Sequence, residues 1–338
     1  FERTNADYID MVGFPFGIAS VGIKNDALQK ICELKKTNDT ETGYRLADLN
    51  SDGRPDLILS RADDLCYSDS KSKHVWLNVN NGSGWVNAST NWNTPRCFAG
   101  FNGEDDGDRF ADINNDGRVD ILWGLGTTVP AGCPGTSRTA WLNTGSGWLE
   151  DNTYSPPLCF TESGGFTDNG RVIIDFTGDG LPDIFGGRTY LNGCSTNEKE
   201  AWVNDGHAWV QDDSWEPPEC FVNDNGVDIG YRFSDINGDG LIDIIQGMRT
   251  GFPNFDCTTN ERKAWLNNGS GWTRDDRYES PVCFVELNNG IDRGYRIMDV
   301  NGDGLEDILE GRWDGGCVEG TKAAWLNNGS GWTRSDSF

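Results

Sequence analysis

Histidine is nearly missing from this chain: 338 residues hold only His74 and His207, and neither lies in a recurring motif. No Ser/His/Asp or Cys/His arrangement can be inferred from the sequence, and no CxxC pair offers a zinc site. Positive charge is also scarce, with 28 Lys and Arg against 54 Asp and Glu and a net charge of −26. Nucleic acid and anionic membranes, which demand a basic face, are therefore excluded as partners. Long apolar runs are lacking too. Only 36% of residues are hydrophobic, and no stretch is long enough to span a bilayer as a helix.

What is abundant is glycine, at 44 residues, and tryptophan, at 14. Gly-rich turns between aromatic and β-branched segments point to an all-β chain. Ten cysteines, even in number and regularly spaced, point to disulfides and an oxidising, extracellular or cell-surface compartment. Asn38, Asn81, Asn87, Asn268 and Asn328 each open an N-x-Ser/Thr sequon, which suits secretion. The plainer reading of Asn81, Asn268 and Asn328 is that Asn-Gly makes a hairpin turn. No targeting segment is visible at Phe1, so the chain is read as mature or as a fragment of a longer protein.

The chain repeats itself. Five nine-residue acidic loops, DLNSDGRPD (48–56), DINNDGRVD (112–120), DFTGDGLPD (175–183), DINGDGLID (235–243) and DVNGDGLED (299–307), recur at steps of 64, 63, 60 and 64 residues. A second marker is Trp76, Trp141, Trp202, Trp265 and Trp325, each opening a WLN- or WVN-type strand. A Gly-containing turn and a further Trp (85, 148, 209, 272 or 332) follow. Each module thus reads as four strands; in the fourth, A is Tyr231–Ile236, B is Ile242–Gln246, C is Lys263–Asn267, and D starts at Gly271. Four antiparallel strands per 60–65 residues describe a β-propeller blade. The blades are placed at 32–95, 96–157, 158–218, 219–281 and 282–338, after a partial blade at 1–31. Glu2, Thr4 and Ala6 stand at loop positions 1, 3 and 5 of that partial blade, so no cation is expected there. Six blades are countable, and a seventh upstream would fit a single propeller domain.

In each loop, oxygens at positions 1, 3, 5 and 9 and the carbonyl at position 7 suit a hard cation with six to eight oxygen ligands, with Gly at position 6 for the bend. The expected ligand sets are Asp48, Asn50, Asp52, Arg54 and Asp56; Asp112, Asn114, Asp116, Arg118 and Asp120; and Asp175, Thr177, Asp179, Leu181 and Asp183. The last two are Asp235, Asn237, Asp239, Leu241 and Asp243, then Asp299, Asn301, Asp303, Leu305 and Asp307. Arg54, Arg118, Leu181, Leu241 and Leu305 enter through their carbonyls. An EF-hand is excluded, because position 12 reads Leu59, Trp123, Gly186 and Gln246 and only once Glu310, and strands rather than helices flank the loop. About five structural calcium ions are expected.

The acidic loops, the apolar B strands, the WLN strands and the Gly-Ser-Gly turns resemble the FG-GAP/VCBS repeat family, found in integrin α-subunit propellers, bacterial toxin-complex propellers and some fungal lectins. The resemblance spans essentially the whole chain. It implies calcium loops on the lower face of a propeller and does not carry one function with it.

Cysteines precede strand A at Cys32, Cys97, Cys159, Cys220 and Cys283, and stand in the B–C loop at Cys66, Cys133, Cys194, Cys257 and Cys317. Both sets emerge on the face opposite the acidic loops. Pairing within blades gives Cys32–Cys66, Cys97–Cys133, Cys159–Cys194, Cys220–Cys257 and Cys283–Cys317; the alternative joins Cys66 to Cys97 and onward, leaving Cys32 and Cys317. Trp92, Tyr154, Trp215 and Tyr278 each stand five residues before a linker Cys, and Trp123 and Trp313 follow B strands toward the same face. These six are candidate sugar-stacking residues, or else they cover disulfides and pack between blades. Arginines just ahead of the loops, Arg45, Arg109, Arg171, Arg232 and Arg296, read as structural partners of nearby carboxylates.

The sequence therefore points to an extracellular, calcium-stabilised recognition or adhesion module, with a glycan as its ligand. A protein-interaction propeller in a larger extracellular assembly is the alternative, and a polysaccharide-acting enzyme the second alternative. No catalytic residue is assigned.

Overall fold

In the computed structural model, the described residues are 43–60, 73–79, 84–100, 105–127, 133–162, 167–189, 194, 199–249, 261–286, 290, 292–310 and 323–337. They form five four-stranded antiparallel sheets. The first is β1 (Tyr44–Ala47), β2 (Asp56–Ser60), β3 (Lys73–Val79) and β4 (Gly84–Asn87), hydrogen-bonded in that order. The second is β5 (Asp108–Ala111), β6 (Asp120–Gly126), β7 (Arg138–Asn143) and β8 (Trp148–Glu150), extended by the short β9 (Thr161–Glu162) and β10 (Thr167–Asp168). The third is β11 (Arg171–Ile174), β12 (Asp183–Gly187), β13 (Lys199–Asn204) and β14 (Trp209–Gln211). The fourth is β15 (Tyr231–Ser234), β16 (Asp243–Arg249), β17 (Arg262–Asn267) and β18 (Trp272–Arg274), with β19 (Val285–Glu286) added to β16. The fifth is β20 (Tyr295–Met298), β21 (Asp307–Glu310), β22 (Ala324–Asn327) and β23 (Trp332–Ser335).

This is the up-and-down blade of a β-propeller, found five times among the described residues where six or seven blades were expected from sequence. The partial blade at 1–31 falls outside them, as do Cys32, Asn38, Cys66, Asn81, Cys257, Trp313 and Cys317. The sheets divide into two compact units, residues 1–168 with 204–209, and residues 169–203 with 210–338.

The second strand of each sheet is its buried heart. Ile58, Leu122, Phe185 and Ile245 are fully buried, which is why these strands read as continuous apolar runs rather than alternating ones. In the first unit Ile58, Phe98, Phe110 and Ile121 share one cluster with Trp92. In the second, Phe185 packs against Phe176, Phe221, Phe233 and Trp272, with ring centroids 4.9–5.6 Å apart.

The asparagine of the WLN motif joins one sheet to the next. Asn143 Nδ2 donates to the Leu49 carbonyl at 2.9 Å, Asn204 to Ile113 at 2.8 Å, Asn267 to Phe176 at 2.7 Å and Asn327 to Ile236 at 2.6 Å. Each acceptor is position 2 of the preceding sheet's acidic loop. The motif that marks the repeat in sequence is thus the bond that ties the repeats together.

Candidate functional site

Each acidic loop is closed by its own carboxylates. Asp235 accepts from the backbone N–H groups of Gly238, Asp239 and Gly240, and Asp239 accepts from Leu241. Asp48, Asp112, Asp175 and Asp299 make the same kind of bonds to their loops. Position 6 holds the bend at φ of +80 to +90° in Gly53, Gly117, Gly180, Gly240 and Gly304, a region that side-chain-bearing residues avoid.

The position-9 aspartates are set differently. Asp56, Asp120, Asp183, Asp243 and Asp307 are fully buried. One carboxylate oxygen of Asp243 accepts from Ile236 N–H at 3.1 Å and the other from Asn267 N–H at 2.7 Å, which locks the first three strands of the sheet together. Asp56, Asp120 and Asp307 do the same. Burial pushes the carboxyl of Asp56 up to about 6 and those of Asp120 and Asp243 up to about 7, against their backbone hydrogen bonds.

The donor chemistry of the loops, carboxylates with an amide or hydroxyl at position 3, fits a hard cation. Among the described residues no group of three or more His, Cys, Asp or Glu side chains is drawn into a metal-holding cluster. The carboxylates are instead turned to backbone N–H groups, and in the first two loops also to Arg54 and Arg118, at 2.6 and 3.1 Å.

At the opposite end of the first four sheets the exit linker folds back on the sheet it has just left. Phe98 N–H donates to the Ser60 carbonyl, Phe160 to Gly124, Phe221 to Gly187 and Phe284 to Gly247, at 2.7–2.9 Å. β9 then runs parallel to the end of β6, and β19 to the end of β16. This return sets the disulfides. Cys133 joins Cys159 and Cys194 joins Cys220, with Cα atoms 5.3 and 5.5 Å apart. The expected pairs Cys97–Cys133, Cys159–Cys194 and Cys220–Cys257 are therefore wrong, and the alternative register is the one formed. The reason is topological: a linker cysteine lies beside the B–C loop behind it, not the one ahead. Cys97 and Cys283 are also disulfide-bonded.

The five described aromatics proposed for sugar stacking, Trp92, Trp123, Tyr154, Trp215 and Tyr278, are used inside the fold. Trp92, Trp123, Trp215 and Tyr278 are 4, 8, 6 and 3% exposed. Trp92 meets Trp148 edge-on, and Trp215 packs against Phe176 and Trp272. Tyr154 and Tyr278 donate their hydroxyls to the turn carbonyls of Gly206 and Gly329. The backbone carbonyls of Tyr154, Trp215 and Tyr278 in turn accept from the indoles of Trp209, Trp272 and Trp332. These residues pack one sheet against the next, the plainer of the two readings.

Sequence reasoning missed a D-x-G-x-R pattern at the head of the first strand. Asp105, Asp228 and Asp292 each accept the N–H of the glycine two residues on, and pair with Arg109, Arg232 and Arg296 at 3.0–3.1 Å. The guanidinium groups of Arg109 and Arg232 also lie over the rings of Phe160 and Phe284, at 5.1 and 5.2 Å. Arg109, Arg232 and Arg296 are thus structural partners of carboxylates, as their position suggested. In the second sheet the usual tyrosine between Gly and Arg is replaced by Asp108, and Arg96 stacks on Trp123 at 3.6 Å.

Residues 48–123 match the model of the FG-GAP-like repeat. Over that stretch the chain is similar to the FG-GAP-like repeat. That match covers the first two acidic loops and the strands between them. No curated protein matches the chain in sequence. Among solved structures, an Agrocybe aegerita lectin, described for its specific recognition of non-reducing terminal N-acetylglucosamine, is similar over 88% of this chain with a TM-score of 0.53 and 18% identity. The chain spans 66% of that lectin's length. The Tc holotoxin pore of Photorhabdus luminescens is similar over 89% of this chain and 12% of its own, at TM-score 0.44 and 15% identity. At 18% identity the likeness to the lectin is one of fold alone.

Proposed function

We propose that this propeller is an extracellular recognition module whose ligand is a glycan, held on the end of the sheets where linkers and B–C loops are joined by disulfides. The observation that carries this reading is the doubled staple. A linker hydrogen-bonded along the second strand is also covalently tied to Cys133 or Cys194, so this edge is pre-organised, which lowers the ordering cost of binding. The similarity in fold to a lectin that recognises N-acetylglucosamine supports a sugar as the ligand class. A glycan array that includes N-acetylglucosamine-terminated structures tests it. Binding that survives calcium-replete washing and is lost in the C133S/C159S double variant is expected; a blank array overturns the reading.

Calcium belongs to the same proposal as a structural ion, one per acidic loop. Asp, Asn or Thr, and Asp at positions 1, 3 and 5 would hold it, with the position-7 carbonyl and the buried position-9 carboxylate beneath. Its role would be to neutralise three carboxylates per loop and to fix the position-2 carbonyl that the next sheet's asparagine needs.

A second reading, docking of a partner protein, is favoured by one feature. Val86, Leu149 and Val210, at the same place in the outermost strands β4, β8 and β14, are 46, 57 and 49% exposed. Co-purification of a fixed partner, abolished by Leu149→Lys, would support it.

A further inference from the structure

The turns between the third and fourth strands of the last two sheets carry Asn268-Gly-Ser270 and Asn328-Gly-Ser330. Both asparagines are exposed. In each, the side-chain oxygen accepts from the N–H and the hydroxyl of the serine two residues on, at 3.0 and 2.9 Å for Asn268 and 3.0 and 2.7 Å for Asn328. The amide nitrogen of Asn328 makes no hydrogen bond among the described residues, and that of Asn268 donates only to Thr273 Oγ1 at 3.0 Å. A substituent on either nitrogen thus displaces no buried contact.

The same turn position holds Thr144 in the second sheet and Asp205 in the third, and each makes the local turn bonds without a sequon. The turn itself therefore does not require the Asn-x-Ser triplet that these two sheets display. Asn87, a third described sequon, is also exposed, but its partner hydroxyl on Ser89 is bonded to the β3 backbone at Val75.

We infer that Asn268 and Asn328 are N-glycosylated, and that the sugars mark the acidic-loop end of the sheets as the face that does not bind ligand. The placement follows from contacts at the two turns. A Cβ on Gly269 would lie 4.0 Å from Leu241, and one on Gly329 3.9 Å from Leu305, both residues being position 7 of an acidic loop. The stapled end lies at the far end of the second strand, where Phe284 meets Gly247. Glycans at the turns stand beside the loops and leave the stapled end open. The turns are also firm mounts, since Tyr278 holds the Gly329 carbonyl at 2.6 Å.

This inference rests on the extracellular setting proposed above, because the modification is made in the secretory pathway. The test is the intact mass of protein secreted by a eukaryotic host, before and after peptide-N-glycosidase. The expected result is a loss of glycan mass on treatment, with one step missing in N268Q and another in N328Q. Ser270→Ala and Ser330→Ala remove each sequon while keeping the asparagine, and should give the same missing steps if either Gln variant fails to fold. A mass that is unchanged by the glycosidase overturns the inference. Array binding by such unmodified protein would leave the recognition reading standing, whereas loss of array binding in a folded variant lacking either glycan would overturn the assignment of faces.

Discussion

At the scale of single residues, Asp108 is the outlier of the repeat. It is fully buried, and neither of its oxygens has a hydrogen-bond partner. Burial holds its carboxyl well above the usual carboxylate range; Arg96 and Arg45 oppose the shift, and Asp106 and Asp105 reinforce it. Lys73 faces the same group and is itself pushed down by burial. A carboxyl raised in the folded state contributes stability that is complete below its unfolded value near 3.8 and is lost as pH rises through the folded value. Asp108→Asn removes that loss while keeping the shape. We expect its melting temperature to match the wild type near pH 4 and to exceed it at pH 8; parallel melting curves at both pH values would refute this. Asn267 tests the opposite kind of residue, a buried group with every bond made. Asn267→Ala leaves the buried Phe176 carbonyl without its partner, at a cost of roughly 1–3 kcal/mol. Denaturant titration should show the loss with an unchanged slope.

At the scale of elements, the linker decides more than its length suggests. Strands and loops were legible because Asp235 and Asn267 recur in spacing and type, and those spacings follow directly from the bonds they make. The cysteines were legible as disulfides but not in their partners, because the return of Phe160 and Phe221 onto the preceding strand leaves no mark in spacing. The same return explains the aromatics. Trp215 stands in a one-turn 3-10 segment, Asp213–Trp215, capped by Asp212, and that segment aims the ring into the core rather than outward. The D-x-G-x-R pattern could have been read from Asp228, Gly230 and Arg232 but was hidden by the louder acidic motif that follows it. Two outcomes follow for the linkers. Peptide mapping under non-reducing conditions should recover Cys133 with Cys159 and Cys194 with Cys220, and no peptide joining Cys97 to Cys133. Removing one staple as C194S/C220S frees a loop whose ends are 26 residues apart, which the chain-entropy model values at about 3–4 kcal/mol. A loss of that order, read by denaturant titration, is expected.

At the scale of the whole molecule, stability and the acidic loops are one problem. Fifteen aspartates sit in five loops of a chain whose net charge is −26. Each position-2 carbonyl in four of those loops is also the acceptor of the next sheet's asparagine. An ion bound in a loop would therefore stabilise two sheets at once, the one it sits in and the one hung from it. Ligand present at a hundred times its Kd adds about 2.7 kcal/mol per site to the folded state. Several such sites would dominate a stability of ordinary size, about 5–15 kcal/mol. Chelation should then lower the melting temperature by well over a few degrees, and calcium added back should restore it where magnesium, held to smaller and more rigid octahedral geometry, does not. Because the loops are links between sheets, the chelated protein should also lose sharpness in its transition, with sheets melting over a wider range. Asp239→Ala in one loop should reproduce a fraction of the effect and reduce the bound calcium, counted by elemental analysis, by one. A melting curve indifferent to chelator would show that the N–H bonds and arginines close the loops unaided, and would remove calcium from the proposed function without touching the disulfide-held face.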